Sequence, residues 1–128
     1  MQEYDFLLMY EHKVRELDNL CLLKYELDKR GYKTKILYEN DYELIKSRTV
    51  VYKTKVLVVG YCYTSSSIKD YASYRIKFDK VVNLQWEQVI TNEQEKDSNS
   101  FRNLSGLAKE IVHISWGERN RRRLIEKA

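Results

Sequence analysis

A chain of 128 residues, with 23 Lys plus Arg against 19 Asp plus Glu and a formal charge of +4, has the length of one domain. A hydrophobic fraction of 43%, gathered in dense blocks, excludes a disordered polyelectrolyte, and no apolar run reaches the ~20 residues of a transmembrane helix. The start, Met1-Gln2-Glu3-Tyr4-Asp5, lacks the basic and apolar regions of a secretory signal, so a cytoplasmic location is expected.

Tyr4 to Tyr10 is a nearly continuous apolar run, the pattern of a strand buried on both faces. Lys13 to Arg30 follows as an amphipathic helix, with Val14, Leu17, Leu20, Cys21, Leu23 and Leu27 on its apolar face. Gly31, directly after Lys29-Arg30, suits a left-handed helix end. Lys35 to Tyr38 is a second strand, which completes a β-α-β unit. Asp41 to Arg48 is a short helix with Asp41 at its start and Tyr42 and Ile45 inward. Lys55 to Tyr61 is the third strand. Ser67-Ile68-Lys69-Asp70 has the form of a capping box, opening a helix to about Phe78 that buries Ile68, Ala72 and Ile76. Lys80 to Gln85 is the fourth strand. Glu87 to Asn103 is a long polar loop, and Leu104 to Glu110 suits a helical turn. Glu110 to Trp116 is the fifth strand, Gly117 breaks it, and Glu118 to Ala128 is a terminal helix.

Five strands alternating with helices predict one Rossmann-like domain over residues 1–128: a doubly wound parallel α/β sheet in three layers. Proline is absent, which excludes Pro-rich linkers. Cys21 and Cys62 lie in apolar blocks without partners at metal-ligand spacing, so both are expected as buried, reduced thiols.

Open α/β sheets bind ligands beyond the carboxyl ends of their strands. Four tails should meet there: Glu11-His12-Lys13, Tyr63 to Ser67, Gln85 to Gln88, and Trp116-Gly117-Glu118. His12, beside Glu11, is either a general base or substrate contact, or a solvated loop histidine. Glu87 and Glu118 are either sugar-binding or acid-base carboxylates, or caps and salt-bridge partners. Trp86 and Trp116 offer flat faces for stacking a sugar or base, or pack a core or an interdomain contact. Ser65 and Ser66, with Ser67, form either an anion seat or an ordinary cap. His113, inside a strand, is expected to be structural. Arg119 to Arg123 reads as a solvated helix face rather than a nucleic-acid site. G-x-G-x-x-G, P-loop and G-x-S-x-G motifs are absent, and no cofactor is expected.

The chain resembles the N-terminal half of bacterial surface-carbohydrate biosynthesis proteins. These are two-domain glycosyltransferases of the GT-B type, distantly similar to CDP-glycerol glycerophosphotransferases. The resemblance is carried by Tyr4 to Leu8, Gly31-Tyr32, Asn83 to Gln88, and Ile114 to Glu118 leading toward Leu124. It implies the acceptor side of an interdomain cleft, with His12 as candidate base and Glu11, Lys13, Ser65, Ser66, Trp86, Glu87, Trp116, Gly117 and Glu118 binding substrate. It further implies a partner donor-binding domain that this sequence does not contain, a carbohydrate or lipid-linked acceptor, proximity to a membrane surface, and no activity by this chain alone. Two alternatives are a non-enzymatic Rossmann-like binding module and a nucleic-acid binder acting through the arginine run.

Overall fold

The computed structural model describes residues 1–62, 65–84 and 111–114, together with the helical positions 118 and 122. The strands are β1 (Gln2–Tyr10), β2 (Thr34–Tyr38), β3 (Tyr52–Val59), β4 (Ile76–Asn83) and β5 (Val112–His113). They form one sheet in the order β2-β1-β3-β4-β5, and every pairing is parallel. The α-helices are α1 (Asp18–Lys29), α2 (Tyr42–Lys46) and α3 (Ser65–Ser73), and a π-helical turn, Lys13–Leu17, leads into α1.

The sheet is covered on both faces, as a doubly wound fold requires. On one face Leu8 and Val58 pack with Leu20 of α1, flanked by Phe6, Tyr10, Leu23, Leu27 and Ile36. On the other, Leu7, Met9, Leu57 and Val59 pack with Leu44 of α2 and Tyr71 of α3. The run Leu7-Leu8-Met9 is therefore buried throughout, in keeping with its unbroken apolarity.

The end of α1 obeys the local signal. Gly31 has φ +90°, its N–H donates to Asp28, and the N–H of Tyr32 donates to Leu27. This pair of bonds is the Schellman closure, and it needs a left-handed residue where glycine carries no penalty. Asp41 caps α2, its Oδ1 accepting from the N–H groups of Glu43 (3.0 Å) and Leu44 (3.3 Å).

Four sequence expectations are corrected. Leu20, Leu23 and Leu27 keep the inward face of α1, but Cys21 is exposed at its edge, and in the turn before it Val14 is 97% exposed while Glu16 is buried. The π-helical turn inserts an extra residue and so rotates the residues before it relative to those after it. In α2 it is Leu44 that is buried, with Tyr42 and Ile45 outward, because a single capped turn aims only one apolar side chain at Leu37 and its neighbours. α3 ends at Ser73, and Tyr71 rather than Ala72 is buried. Arg75, at φ 63°, terminates it and donates through Nε to the Ser47 carbonyl. Ile76 and Phe78 consequently belong to β4, and β3 and β4 both begin earlier than the apolar runs indicate. The loop 87–103, the turn 104–110 and most of the terminal helix lie outside the described residues.

One feature of the sheet is not periodic. Tyr4 packs with the α2–α3 face and Phe6 with the α1 face, although Leu7 and Met9 share the face of Tyr4. Tyr52 against Val56 and Phe78 against Val82 show the same inversion. The N–H groups of Asp5 and Phe6 both donate to the Lys33 carbonyl, as at a β-bulge. Register is nonetheless kept, with Tyr4↔Thr54 and Phe6↔Val56, then Thr54↔Phe78 and Val56↔Lys80. The three strands thus change phase together at the level of Asp5, Lys55 and Asp79. The buried Thr54 hydroxyl lies within donating distance of two carbonyls at this level, Asp5 (3.2 Å) and Val56 (2.9 Å).

Candidate functional site at the carboxyl ends of the strands

Strand order reverses direction between β1 and β3, whose connections leave toward opposite edges of the sheet, so the tail of β1 borders the reversal. In such sheets the crevice beyond the carboxyl ends at the reversal is the ordinary ligand position. The tail of β1, Glu11-His12-Lys13, stands there.

The conformation of this tail is set by Glu16. His12 is extended at the helix entrance and makes no side-chain cap. Instead the Glu16 carboxylate turns back, and its Oε2 accepts from the N–H groups of Glu11 (2.7 Å) and His12 (2.6 Å). Glu16 is only 3% exposed, and the Arg15 guanidinium lies 3.9 Å from its other oxygen. Free N–H groups at a helix entrance are the usual seat of a phosphate. In this chain the protein's own carboxylate stands at that entrance, on the two N–H groups just ahead of the turn, and its charge opposes a phosphate there.

The side chains of the tail point into an open groove of about 400 Å³, lined by Tyr10, Glu11, His12, Lys13, Val14 and Tyr38. His12 and Glu11 have side chains 55% and 47% exposed, and Nε2 of the imidazole lies 3.7 Å from the carboxylate. An exposed pair of this kind holds the ring only loosely.

On the other side of the tail lies a group of acids. The N–H of Glu39, just past β2, donates to the Tyr10 carbonyl (2.8 Å), which sets Glu39 beside Glu11. Burial pushes the Glu39 carboxyl up to about 7, helped by the negative charges of Glu11, Glu16 and Asp70. Burial, with Glu39 nearby, also pushes the Cys62 thiol up to about 12, so this cysteine is no nucleophile at neutral pH. The Tyr71 hydroxyl is raised for the same reasons and donates to the Tyr61 carbonyl (2.8 Å).

Asn83, wholly buried at the end of β4, ties this edge together. Its amide nitrogen donates to the Cys62 carbonyl (2.9 Å) and lies 3.2 Å from Nδ1 of His113. That nitrogen accepts the second amide hydrogen when the imidazole proton sits on Nε2. His113 is thereby joined to the sheet, the structural role its strand position implied.

Of the sequence-predicted site residues, the structure brings Glu11, His12 and Lys13 to one groove. Ser65 and Ser66 open α3, on the same edge after β3. Glu118 is exposed and accepts from Nε of Arg122 (3.2 Å), an i,i+4 pair. Trp86, Glu87, Trp116 and Gly117 lie outside the described residues. Glu16, Glu39, Tyr10 and Tyr38 are site residues that sequence reasoning misses. A carboxylate four residues after the helix entrance is the available signal for Glu16; the pairing of Tyr10 with Tyr38 is non-local and leaves no signal.

Among the described residues, no cluster of His, Cys, Asp or Glu is fit to hold a metal ion, and no helix is long and apolar enough to cross a membrane. The chain matches no family model, no curated protein and no solved structure.

Proposed function

We propose that the chain is the acceptor-side domain of a GT-B-like glycosyl- or alditol-phosphate transferase acting on bacterial surface carbohydrate. The observation that carries this reading is the Glu16 carboxylate on the N–H groups of Glu11 and His12. A nucleotide-binding half would keep that helix entrance open for phosphate. A half that accepts the transferred group has no such need, and its β1 tail is free to present His12 and Glu11 to a hydroxyl. The donor would then sit on a second domain, and a lipid-linked acceptor would bring the pair close to a membrane surface.

The test is made in a longer protein that contains this segment and a second Rossmann-like half. His12→Ala there lowers kcat by about 10²-fold or more, the scale of general-base catalysis, with KM nearly unchanged. An unaltered rate removes His12 from the mechanism.

A second reading is a non-enzymatic binding module using the same groove. It is favoured by the exposure of His12, whose nearest acidic partner is itself half exposed at 3.7 Å, since general bases are usually oriented by a firmer contact. A reading frame that ends with this segment, together with ligand binding and no turnover, would establish it.

A further inference from the structure

Tyr10 and Tyr38 are register partners at the carboxyl ends of β1 and β2. Their ring centroids are 5.3 Å apart, with the planes inclined by 32°. Tyr38 is 42% exposed on the edge strand of the sheet. Beside them Val14 is almost bare, turned outward by the π-helical turn. The two rings and the valine are the apolar part of the groove's lining, and Glu11, His12 and Lys13 are the polar part.

This combination selects a ligand class. Aromatic faces bind flat apolar surfaces such as the C–H face of a ring, while a carboxylate, an imidazole and an ammonium hydrogen-bond to hydroxyls at its edge. A phosphate is opposed at the same place. The Glu16 carboxylate lies against the backbone N–H groups of Glu11 and His12, and the N–H of Glu39 is bonded to the Tyr10 carbonyl, so a further anion meets negative charge here. A cation gains little, because the Lys13 ammonium shares the groove with the Glu11 carboxylate.

We infer that the groove binds an uncharged, hydroxyl-rich ring, seated against Tyr10 and Tyr38 with Glu11 and His12 on its hydroxyls. That the ring is the sugar of an acceptor rests on the function proposed above; the chemistry of the groove is tested without it.

The experiment tracks backbone amide shifts of the ¹⁵N-labelled full chain during titration. The probes are methyl glucoside, methyl galactoside, methyl N-acetylglucosaminide, inorganic phosphate, cytidine diphosphate and choline. At least one glycoside is expected to shift the amides of residues 10–14 and 38, with phosphate, the nucleotide and choline leaving them in place. Tyr38→Ala weakens that glycoside by roughly tenfold, the scale of one lost aromatic contact. Val14→Asp, at a fully solvated position that folding does not depend on, weakens it as well. The inference is overturned if no glycoside shifts these amides, if phosphate, nucleotide or choline shifts them instead, or if both variants bind as the parent does. The two readings also fail separately. Glycoside binding at Tyr38 with no transferase activity in the longer protein refutes the function and keeps the groove. Activity that depends on His12 but not on Tyr38 does the reverse.

Discussion

At the amino-end half of the sheet, Glu3 stands 3.6 Å from Lys53 and Asp5 stands 3.0 Å from Lys55. Asp5 also accepts from the backbone N–H of Lys33 (2.9 Å). These groups, with Asp79, line an open groove of about 440 Å³. Asp5 is held below the usual carboxylate range by the Lys33 N–H first and by Lys55 second, and Lys55 is raised by Asp5. At the carboxyl ends the pattern is reversed. Glu39 is half-buried among other acids, and its carboxyl is raised rather than lowered. Paired, solvated charges of the first kind are an ordinary surface. A half-buried carboxylate set beside other acids opposes folding, and such arrangements concentrate where a protein has a task.

The largest effect is expected at Glu16. Glu16→Ala removes a charged acceptor from two backbone donors and should cost about 2–3 kcal/mol in urea unfolding. The amides of Glu11 and His12 should lose their hydrogen-exchange protection in the same variant. A loss below about 0.5 kcal/mol would mean that water replaces the carboxylate and that the tail is not held by it.

Glu39→Gln separates the two ends of the sheet through pH. The folded-state carboxyl titrates near 7 against an ordinary value of 4.5, so between these values the folded chain binds more protons than the unfolded one. Stability must then fall as pH rises through this window. Allowing for partial solvation, the contribution lost by pH 8 is on the order of 1–2 kcal/mol. The glutamine variant should match the parent near pH 4.5 and exceed it at pH 8. Parallel unfolding curves for the two proteins across that range would contradict the half-buried placement of Glu39 among acids.

Lys55→Ala, at the opposite end, should have the smallest effect. Its pair with Asp5 is solvated, so any change should lie near the scatter of the melt and vanish in high salt. A loss that persists in 1 M salt would show that this end is more than a solvated surface.

Legibility in the sequence tracks locality. β1, the capped start of α2 and the closure at Gly31 depend on residues within one or two turns, and each is readable. The end of α3 is not, because Arg75 takes a left-handed conformation that glycine usually marks. It is held by contacts to Ser47 and Val51, more than 20 positions away. The exchange of Val14 for Glu16 on the inner face is hidden because a helical wheel assumes one period, and the π-helical turn has another. At the site, Glu11, His12 and Lys13 can be placed from the strand-end rule alone. Tyr10 and Tyr38 become neighbours only through strand pairing, and the same pairing brings Glu39 to the Tyr10 carbonyl beside Glu11.

The common change of phase at Asp5, Lys55 and Asp79 bears on how this chain tolerates insertion and deletion. Deleting one of these residues would slide the amino-end part of its strand by one place against its neighbours, carrying Tyr4, Tyr52 or Phe78 off the core. Deleting all three together would keep the strands aligned with one another while turning their amino-end halves over as a unit. Length changes in these three strands are thus tied into a single heritable character, and relatives of this chain should carry the extra residue in all three or in none.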